Sequence, residues 1–231
     1  MLVRNYFRSA PAAALLVCTA CIGPQAAQQE PAAAGNTGAA PAAPAAEAGG
    51  KRIIWDGDEV AGSAKGWANC GEDSGPDCKA SLEPVPGKGH NDSSGLRFSA
   101  EGKGWIGFGW NFFGWWPEDA GIDITPYKHL VFRLKVEAES QELAPEYGAI
   151  NVMLRCSSKK EGCETKGVAV PDYAKGDLAD GKWHEVVVPI DAIGKDSQFD
   201  PKTTWELMMS TWAGTAKKFA LYLDDIHLDN R

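Results

Sequence analysis

Hydrophobic and polar residues alternate with a period of two through most of the chain after residue 51. In the stretch LVFRLKV, Leu130 and Phe132 point to one side of an extended chain and Arg133 points to the other. Such alternation predicts β-strands that place one face on a core and the other toward solvent. The predicted strands cover residues 53–55, 95–99, 105–112, 130–136, 150–156, 183–190, 206–211 and 219–228.

Clusters of glycine, proline, aspartate and asparagine separate these strands, as in GKGHNDSSG and DYAKGDLADG. Long helical patterns are absent from the sequence between them, so neighbouring strands can pair through short turns. We therefore predict an all-β fold in which antiparallel strands pack as a β-sandwich, most simply a jelly roll.

The first 21 residues have the organisation of an export signal. Arg4 and Arg8 precede an apolar stretch at residues 12–17, which is well below the length of a membrane span. Small residues then lead to Cys21, an ending that resembles the lipobox of bacterial lipoproteins, although Cys18 stands where that pattern prefers leucine. We expect lipid on Cys21 and attachment to a membrane of the bacterial cell envelope, namely the outer membrane. The alternative is an ordinary signal peptide that releases a free protein.

Residues 22–50 contain no aromatic residue and one large aliphatic residue, Ile22. Such a segment cannot bury a core, so we predict a disordered linker rich in alanine, proline and glycine. As a flexible coil it would span about 30 Å and hold a folded head clear of a membrane. Residues 51–231 are then one domain.

The four cysteines of this domain form two close pairs in polar loops, CGEDSGPDC and CSSKKEGC. Local pairing, Cys70 with Cys78 and Cys156 with Cys163, is the simplest of the three possible connectivities in an exported protein. Each closed loop would contribute about 2–3 kcal/mol. A zinc site is the rival, but its usual knuckle has two residues between cysteines, and these loops have seven and six.

The formal net charge is −8, and the charges that precede residue 51 cancel, so the whole excess belongs to the domain. Nucleic acid and anionic polysaccharides need a basic patch, which the sequence does not suggest. We expect a neutral ligand and a monomeric domain.

Four stretches of the chain carry a resemblance to a known superfamily. They are GWIGFGWNFFGWWP, GIDITPYKHLVFRLKV, DGKWHEVVVPI and the C-terminal FALYLDDIHL, in this order. Together they resemble the galactose-binding-like jelly rolls of non-catalytic carbohydrate-binding modules, including those fused to β-glucan-degrading enzymes. The resemblance covers most of residues 52–230 and implies that a polysaccharide is bound without being cleaved.

The same resemblance implies a structural calcium ion between the first and last strands. Asp56 and Asp58 follow the first strand, and Asp224 and Asp225 lie in the last, so these four acids are the candidate ligands. Adjacent strand residues point to opposite faces, so at most one of Asp224 and Asp225 would use its side chain. The alternative is that all four are exposed turn acids. An EF-hand is excluded because the twelfth position from Asp56 is Trp67.

The glycine-rich strand at residues 105–112 has two unlike faces. Ile106, Phe108 and Trp110 fall on the face that can pack a core, and Trp105 and Asn111 fall on the other, with two glycines between them. Glycine in a strand allows a ligand or another backbone to approach closely. An indole beside amide and guanidinium donors suits the apolar face and the hydroxyls of a sugar. The candidate ligand-binding residues are Trp105, Asn111, Trp115, Trp116, Arg133, Arg155 and Trp212.

Some of these residues have an ordinary structural alternative. Arg133 and Arg155 can simply solvate an outer face. Trp55, Trp110 and Trp183 are predicted to lie in the core.

The sequence offers no catalytic motif. His184 and Glu185 begin like a zinc-protease signature, but Val188 stands where the second histidine is needed. We therefore predict a protein that is not an enzyme and that binds a neutral, β-glucan-like polysaccharide. The alternative function is a protein-binding or assembly lipoprotein that uses its exposed aromatic patch.

Overall fold

A computed structural model of the chain describes residues 50–56, 65–115, 121–137, 140, 150–156, 163–194 and 198–231, with the backbone alone for residues 65, 113–115 and 213–217. The chain separates into residues 1–41 and 42–231, and the described residues all lie in the second unit. The predicted lipid attachment at Cys21 lies outside the described residues, as does the predicted linker at residues 22–50 except for Gly50. Within the described ranges, no helix is both long enough and apolar enough to cross a membrane.

Nine strands make up most of the regular structure of the described residues. They are β1 (Arg52–Trp55), β2 (Lys65–Cys70), β3 (Lys79–Val85), β4 (Gly95–Trp115), β5 (His129–Val136), β6 (Asn151–Cys156), β7 (Val168–Ala169), β8 (His184–Pro189) and β9 (Thr204–Asp229). The α-helix α1 spans Ile190–Gly194. Short 3-10 helices cover Glu72–Ser74, His90–Asp92, Val170–Tyr173, Leu178–Asp180 and Pro201–Thr203.

The described strands pair antiparallel in one continuous sheet whose main order is β2-β4-β9-β5-β8. The two long strands, β4 and β9, pair along almost their full lengths and divide the sheet into two halves. The first half contains β3, the start of β4, the end of β9, β5 and β8, with β1 added to the last residues of β9. The second half contains β2, the end of β4, the start of β9, β6 and β7.

Strand β4 bends between these halves, at a register shift between Gly102 and Gly104. Gly104 has φ of 76° and leaves room for Asp73, whose Oδ2 would lie 2.9 Å from a Cβ at this position. The bend brings Phe98 and Phe108 together with ring centroids 4.1 Å apart, although a straight strand would separate them by about 33 Å. The two halves therefore face each other across a shared core, which confirms the predicted β-sandwich.

The core lies between the two halves and takes the inward positions of every strand longer than β7. Trp110 and Trp55 are buried there, as predicted. Trp183, which was also predicted to be core, is only partly buried and lies edge-on to His90, with ring centroids 6.1 Å apart. The largest fully buried side chains are Trp110, Phe98, Phe108, Phe132, Ile106, Ile122, Ile124, Leu130, Leu134, Leu154 and Ile193.

Two disulfides join Cys70 to Cys78 and Cys156 to Cys163, with Cα atoms 6.2 Å and 5.3 Å apart. These are the two local pairings predicted from the sequence. Each disulfide begins at the last residue of a strand, β2 or β6, and closes the loop that follows it.

Candidate functional site

The outward face of the second half of the sheet carries the strongest concentration of accessible aromatic side chains. Strand β2 places Trp67 opposite Gly109 of β4, and β9 places Met208 on the other side of that glycine. Strand β6 then adds Met153 beside Met208. Side chains at paired positions lie on the same face of a sheet, so this row forms one continuous surface across four strands.

Two glycines of β4 allow other groups of the protein to approach the backbone of this strand closely. A Cβ at Gly109 would lie 3.0 Å from the Cα of Met208 and would collide with the carbonyl of Leu207. A Cβ at Gly107 would collide with the indole of Trp105. The space over Gly107 is therefore taken by an indole of the protein itself, and this indole rests on the sheet.

Trp67 and Trp105 form a pair on this face. Their ring centroids are 6.5 Å apart and their planes differ by 21°, so the two indoles are nearly parallel. Both residues remain partly exposed. Together they present aromatic surface to a ligand that enters from solvent.

A cleft of about 510 Å³ opens beside this pair. Its walls are mainly aromatic and thioether side chains, together with one amide and three charged groups. The lining residues are Trp67, Asn69, Trp105, Met153, Arg155, Glu164, Trp205, Glu206 and Met208.

The charged groups of the cleft form one chain that is centred on Arg155. Its Nη1 lies 3.0 Å from Oε2 of Glu206, and its Nε lies 3.4 Å from Oε2 of Glu164. The side chain of Glu206 is 4 % exposed, whereas that of Glu164 is 58 % exposed. Burial raises the pKa of Glu206 above its ordinary value, although Arg155 acts against this shift. The guanidinium is thus held between a deep carboxylate and a shallow one.

Asn111 belongs to the same face but lies beneath the surface. It pairs with Lys65 on one side and with Glu206 on the other, and it is 0 % exposed. Neither atom of its side-chain amide has a hydrogen-bond partner among the described residues. The structure therefore places this predicted ligand-binding residue behind the cleft rather than among its lining residues.

Trp212 extends the aromatic surface beyond the cleft. It is the cross-strand partner of Trp105 and is 59 % exposed, the one large hydrophobic side chain among the described residues to be so open. A ligand long enough to leave the cleft over Trp105 would meet Trp212 next.

Of the remaining predicted ligand-binding residues, Arg133 is described and lies away from this cleft. Arg133 lies in the first half of the sheet, where it pairs with Asp225 at 3.2 Å and with Glu185 at 3.8 Å. Trp115 ends β4, but its side chain is outside the described part of the structure, and Trp116 lies outside the described residues altogether.

Trp67 and Trp205 are cleft residues that the sequence analysis missed. The inward positions of β2 are Gly66, Ala68 and Cys70, which are small, so this strand shows no hydrophobic alternation. Trp205 lies at a register shift between β6 and β9, where period-two reasoning cannot assign a face. A tryptophan flanked by small and polar residues was the available signal for Trp67, because a core strand rarely reserves its largest side chain for the outward face.

Two of the acids proposed for calcium, Asp224 and Asp225, have partners within the protein. Oδ2 of Asp224 accepts hydrogen bonds from the His90 N–H and the Ser93 hydroxyl, both at 2.7 Å, and Asp225 pairs with Arg133. Asp56 is exposed, and Asp58 lies outside the described residues. Across the described ranges no three His, Cys, Asp or Glu side chains are grouped to hold a metal. The calcium ion stays a prediction.

No protein-family model and no curated protein matches the sequence. Among solved structures, the chain is similar to the family 30 carbohydrate-binding module of a cellulosomal cellulase of Clostridium thermocellum, with a TM-score of 0.58 and 18 % identity over 78 % of this chain and 98 % of that one. It is also similar to the family 11 carbohydrate-binding module of another cellulosomal cellulase of that organism, with a TM-score of 0.51 and 13 % identity over 80 % and 97 %.

A third similar structure is a β-1,2-glucanase from Parabacteroides distasonis, with a TM-score of 0.50 and 15 % identity. The match covers 78 % of this chain but only 24 % of the glucanase. At these identities the three likenesses establish the fold, a jelly-roll β-sandwich of the kind found in carbohydrate-binding modules.

Proposed function

We propose that this protein binds a neutral, β-glucan-like polysaccharide without cleaving it, in the cleft between Trp67 and Arg155. The observation that carries the proposal is the composition of this cleft, which is lined by three indoles and by a guanidinium that is paired with two carboxylates. Sugars have apolar faces that pack on indoles and hydroxyls that both donate and accept hydrogen bonds. A few contacts of about 1 kcal/mol each, after the costs of binding, correspond to a Kd between about 1 μM and 1 mM.

The carboxylates of the cleft support binding rather than catalysis. Glu164 and Glu206 both pair with Arg155. A glycosidase needs one carboxyl group free to protonate the leaving oxygen and another free to act as a base or nucleophile. Two carboxylates that share one guanidinium on the same wall do not provide this arrangement.

We further propose that the protein is exported and held at the cell envelope by lipid on Cys21, with residues 22–50 as a tether. The support is the organisation of the first 21 residues. In the native bacterial host, the full-length protein should partition into the detergent phase of a Triton X-114 separation, and Cys21→Ala should move it to the aqueous phase. An unchanged partition of Cys21→Ala would contradict the anchor.

The glycan proposal is tested by titrating soluble β-glucans into the protein and following tryptophan fluorescence. Trp67→Ala and Trp105→Ala should each weaken binding about tenfold or more, since each removes an aromatic contact of roughly 1 kcal/mol together with part of the cleft wall. Trp183→Ala is the matched control, because Trp183 is also partly exposed but contacts His90, away from the cleft. Failure of the wild-type protein to bind any glycan in a broad panel would overturn the proposal and favour a protein ligand for the aromatic surface.

A further inference from the structure

Both disulfides lie at the edges of the cleft. Asn69 precedes Cys70, Arg155 precedes Cys156 and Glu164 follows Cys163, and all three of these neighbours line the cleft. The two disulfide-closed segments belong to opposite walls, because Asn69 lies on β2 and Arg155 lies on β6. On each wall of the cleft, a disulfide therefore closes the loop that follows the strand.

The Cys70–Cys78 loop holds the backbone of Trp105. The Gly71 N–H and the Ser74 hydroxyl both donate to the carbonyl oxygen of Trp105, each at 2.8 Å. The ladder between β2 and β4 ends one residue away, where Cys70 pairs with Ile106. The loop therefore continues the contacts of the sheet and fixes the residue that carries the indole.

The same disulfide is packed against the bend of β4. A Cβ at Gly102 would lie 3.2 Å from the Cα of Cys78 and would collide with its sulfur. Gly71 is equally constrained, since a Cβ there would lie 3.1 Å from the Cβ of Trp105. The loop thus fits closely against both the bend and the tryptophan, and opening it would release Trp105 from one side.

The Cys156–Cys163 segment holds the charged wall. The Cys156 N–H donates to the Cys163 carbonyl at 2.9 Å, and the Thr165 N–H donates to the Leu154 carbonyl at 3.0 Å. In return, the Leu154 N–H donates to the Thr165 hydroxyl oxygen at 3.0 Å. This returning segment pairs Glu164 with Arg155 as an isolated bridge, which brings their side chains into contact.

We propose that the two disulfides are positioning elements of the cleft, one for each wall, which fix the tryptophan pair and the Arg155 group in the geometry that the ligand meets. This inference rests on the proposed function for the identity of the ligand. When the side chains of a wall are already ordered, binding of the ligand does not have to bear the entropy cost of ordering them. Removing either disulfide should therefore weaken binding in protein that is still folded.

The experiment compares two double variants of the full chain with the wild-type protein. Cys70→Ser with Cys78→Ser opens the first wall, and Cys156→Ala with Cys163→Ala opens the second without placing hydroxyls in its buried surroundings. The Kd for a soluble β-glucan is measured well below the melting temperature of each variant. We expect each Kd to rise about three- to tenfold, the factor for freeing one or two side chains.

The matched control is Val188→Ala, which makes a cavity in the first half of the sheet. It should lower the melting temperature but leave the Kd unchanged. A second readout needs no ligand: hydrogen exchange of the Gly71 and Thr165 amides should accelerate in the corresponding double variant and not in Val188→Ala. If the second double variant does not fold, Thr165→Val tests that wall, because it removes the oxygen that accepts from Leu154.

The outcomes separate this inference from the proposed function. If the wild-type protein binds glucan and the folded variants bind it equally well, the positioning role is overturned and the function stands. If the wild-type protein does not bind, the proposed function is overturned, and hydrogen exchange alone tests whether the disulfides order the two walls. Unchanged protection of Gly71 and Thr165 would then overturn the positioning role as well.

Discussion

The indole of Trp105 lies over Gly107, two residues further along the same strand, so closely that a methyl group at position 107 would stand 2.5 Å from Cζ2 of the ring. Gly107 is therefore the support on which this tryptophan rests. The strand needs glycine at this position because the sheet and the ring occupy the space that a side chain would fill.

Gly107→Ala should displace the Trp105 indole and weaken glucan binding about three- to tenfold, the value of one aromatic contact. Gly66→Ala is the matched control on the neighbouring strand, because a methyl group there meets Leu82 at an ordinary 3.4 Å. Titration of both variants checks the prediction. Equal affinities for wild type, Gly107→Ala and Gly66→Ala would show that the position of this indole does not matter for binding.

The contact between Phe98 and Phe108 predicts energetic coupling between the two halves of β4. Phe108→Ala should lower the free energy of unfolding by about 3–5 kcal/mol, because the ring is buried between the halves. Combined with Phe98→Ala, the loss should differ from the sum of the single losses by roughly 0.5–3 kcal/mol. Urea unfolding measures the cycle, with Glu101→Ala as an exposed control on the same strand. Strict additivity would contradict the observed stacking.

His184 predicts a dependence of stability on pH. Its Nε2 lies 2.7 Å from the Asp180 carboxylate and its Nδ1 lies 2.7 Å from the Lys175 carbonyl, so both nitrogens donate only when the ring is protonated. The hydrogen bond to Asp180 raises the pKa of His184 above its usual value of 6.5, against the effect of burial. This contribution to stability is fully present below the pKa that His184 has in the unfolded chain. It is lost as the pH rises through the higher pKa that His184 has in the folded protein.

His184→Gln should therefore destabilise the domain more at about pH 5 than at about pH 9. Burial lowers the pKa of His227, so the contribution of His227 has the opposite sign and is lost as the pH falls. The wild-type profile contains both effects, and the difference between wild type and His184→Gln isolates the first. Urea unfolding across this pH range gives the difference. A loss of stability that does not vary with pH would contradict the interaction of protonated His184 with Asp180 and the Lys175 carbonyl.

Asp224 predicts a stability effect that needs no metal. Its carboxylate accepts from the N–H groups of His90 and Asp225 and from the Ser93 hydroxyl, so it ties the loop before β4 to β9. Asp224→Asn should lower the free energy of unfolding by about 1–3 kcal/mol, because the NH2 group of the amide would face N–H or O–H donors where the carboxylate has an accepting oxygen. The loss should be equal in calcium and in chelator, and the exposed control Asp172→Asn should show none. A rise in the wild-type melting temperature on adding calcium, absent in Asp224→Asn, would instead establish the predicted ion.

A small part of the candidate site could be predicted, because alternation indicates the face on which a strand residue lies. Trp105 and Arg155 were placed correctly on outward faces, and Trp110 on the inward face, from their neighbours alone. Alternation does not report which outward residues share a surface. Arg133 has the same pattern as Arg155, yet the bend of the sheet puts it in the other half.

The two long strands could not be predicted as single elements. Residues 95–99 and 105–112 read as separate strands, since the glycines between them interrupt the pattern. In the structure they are one strand, Gly95–Trp115, and Thr204–Asp229 likewise joins two predicted strands. Pairing between β4 and β9 carries the backbone hydrogen bonds across the bend, and that information is not local to either segment.

By itself, the amino-acid sequence determined that this is an all-β domain, which positions of its alternating strands face the core, and which cysteines lie near enough along the chain to pair. Those properties depend on residues within one strand or one loop. The tertiary structure alone decided that Trp67 lies beside Trp105, that Glu206 holds Arg155, and that the space over Gly107 belongs to an indole. Each of these contacts depends on which distant strands become neighbours when β4 and β9 bend together. A hydrophobic pattern of period two does not predict which strands pair.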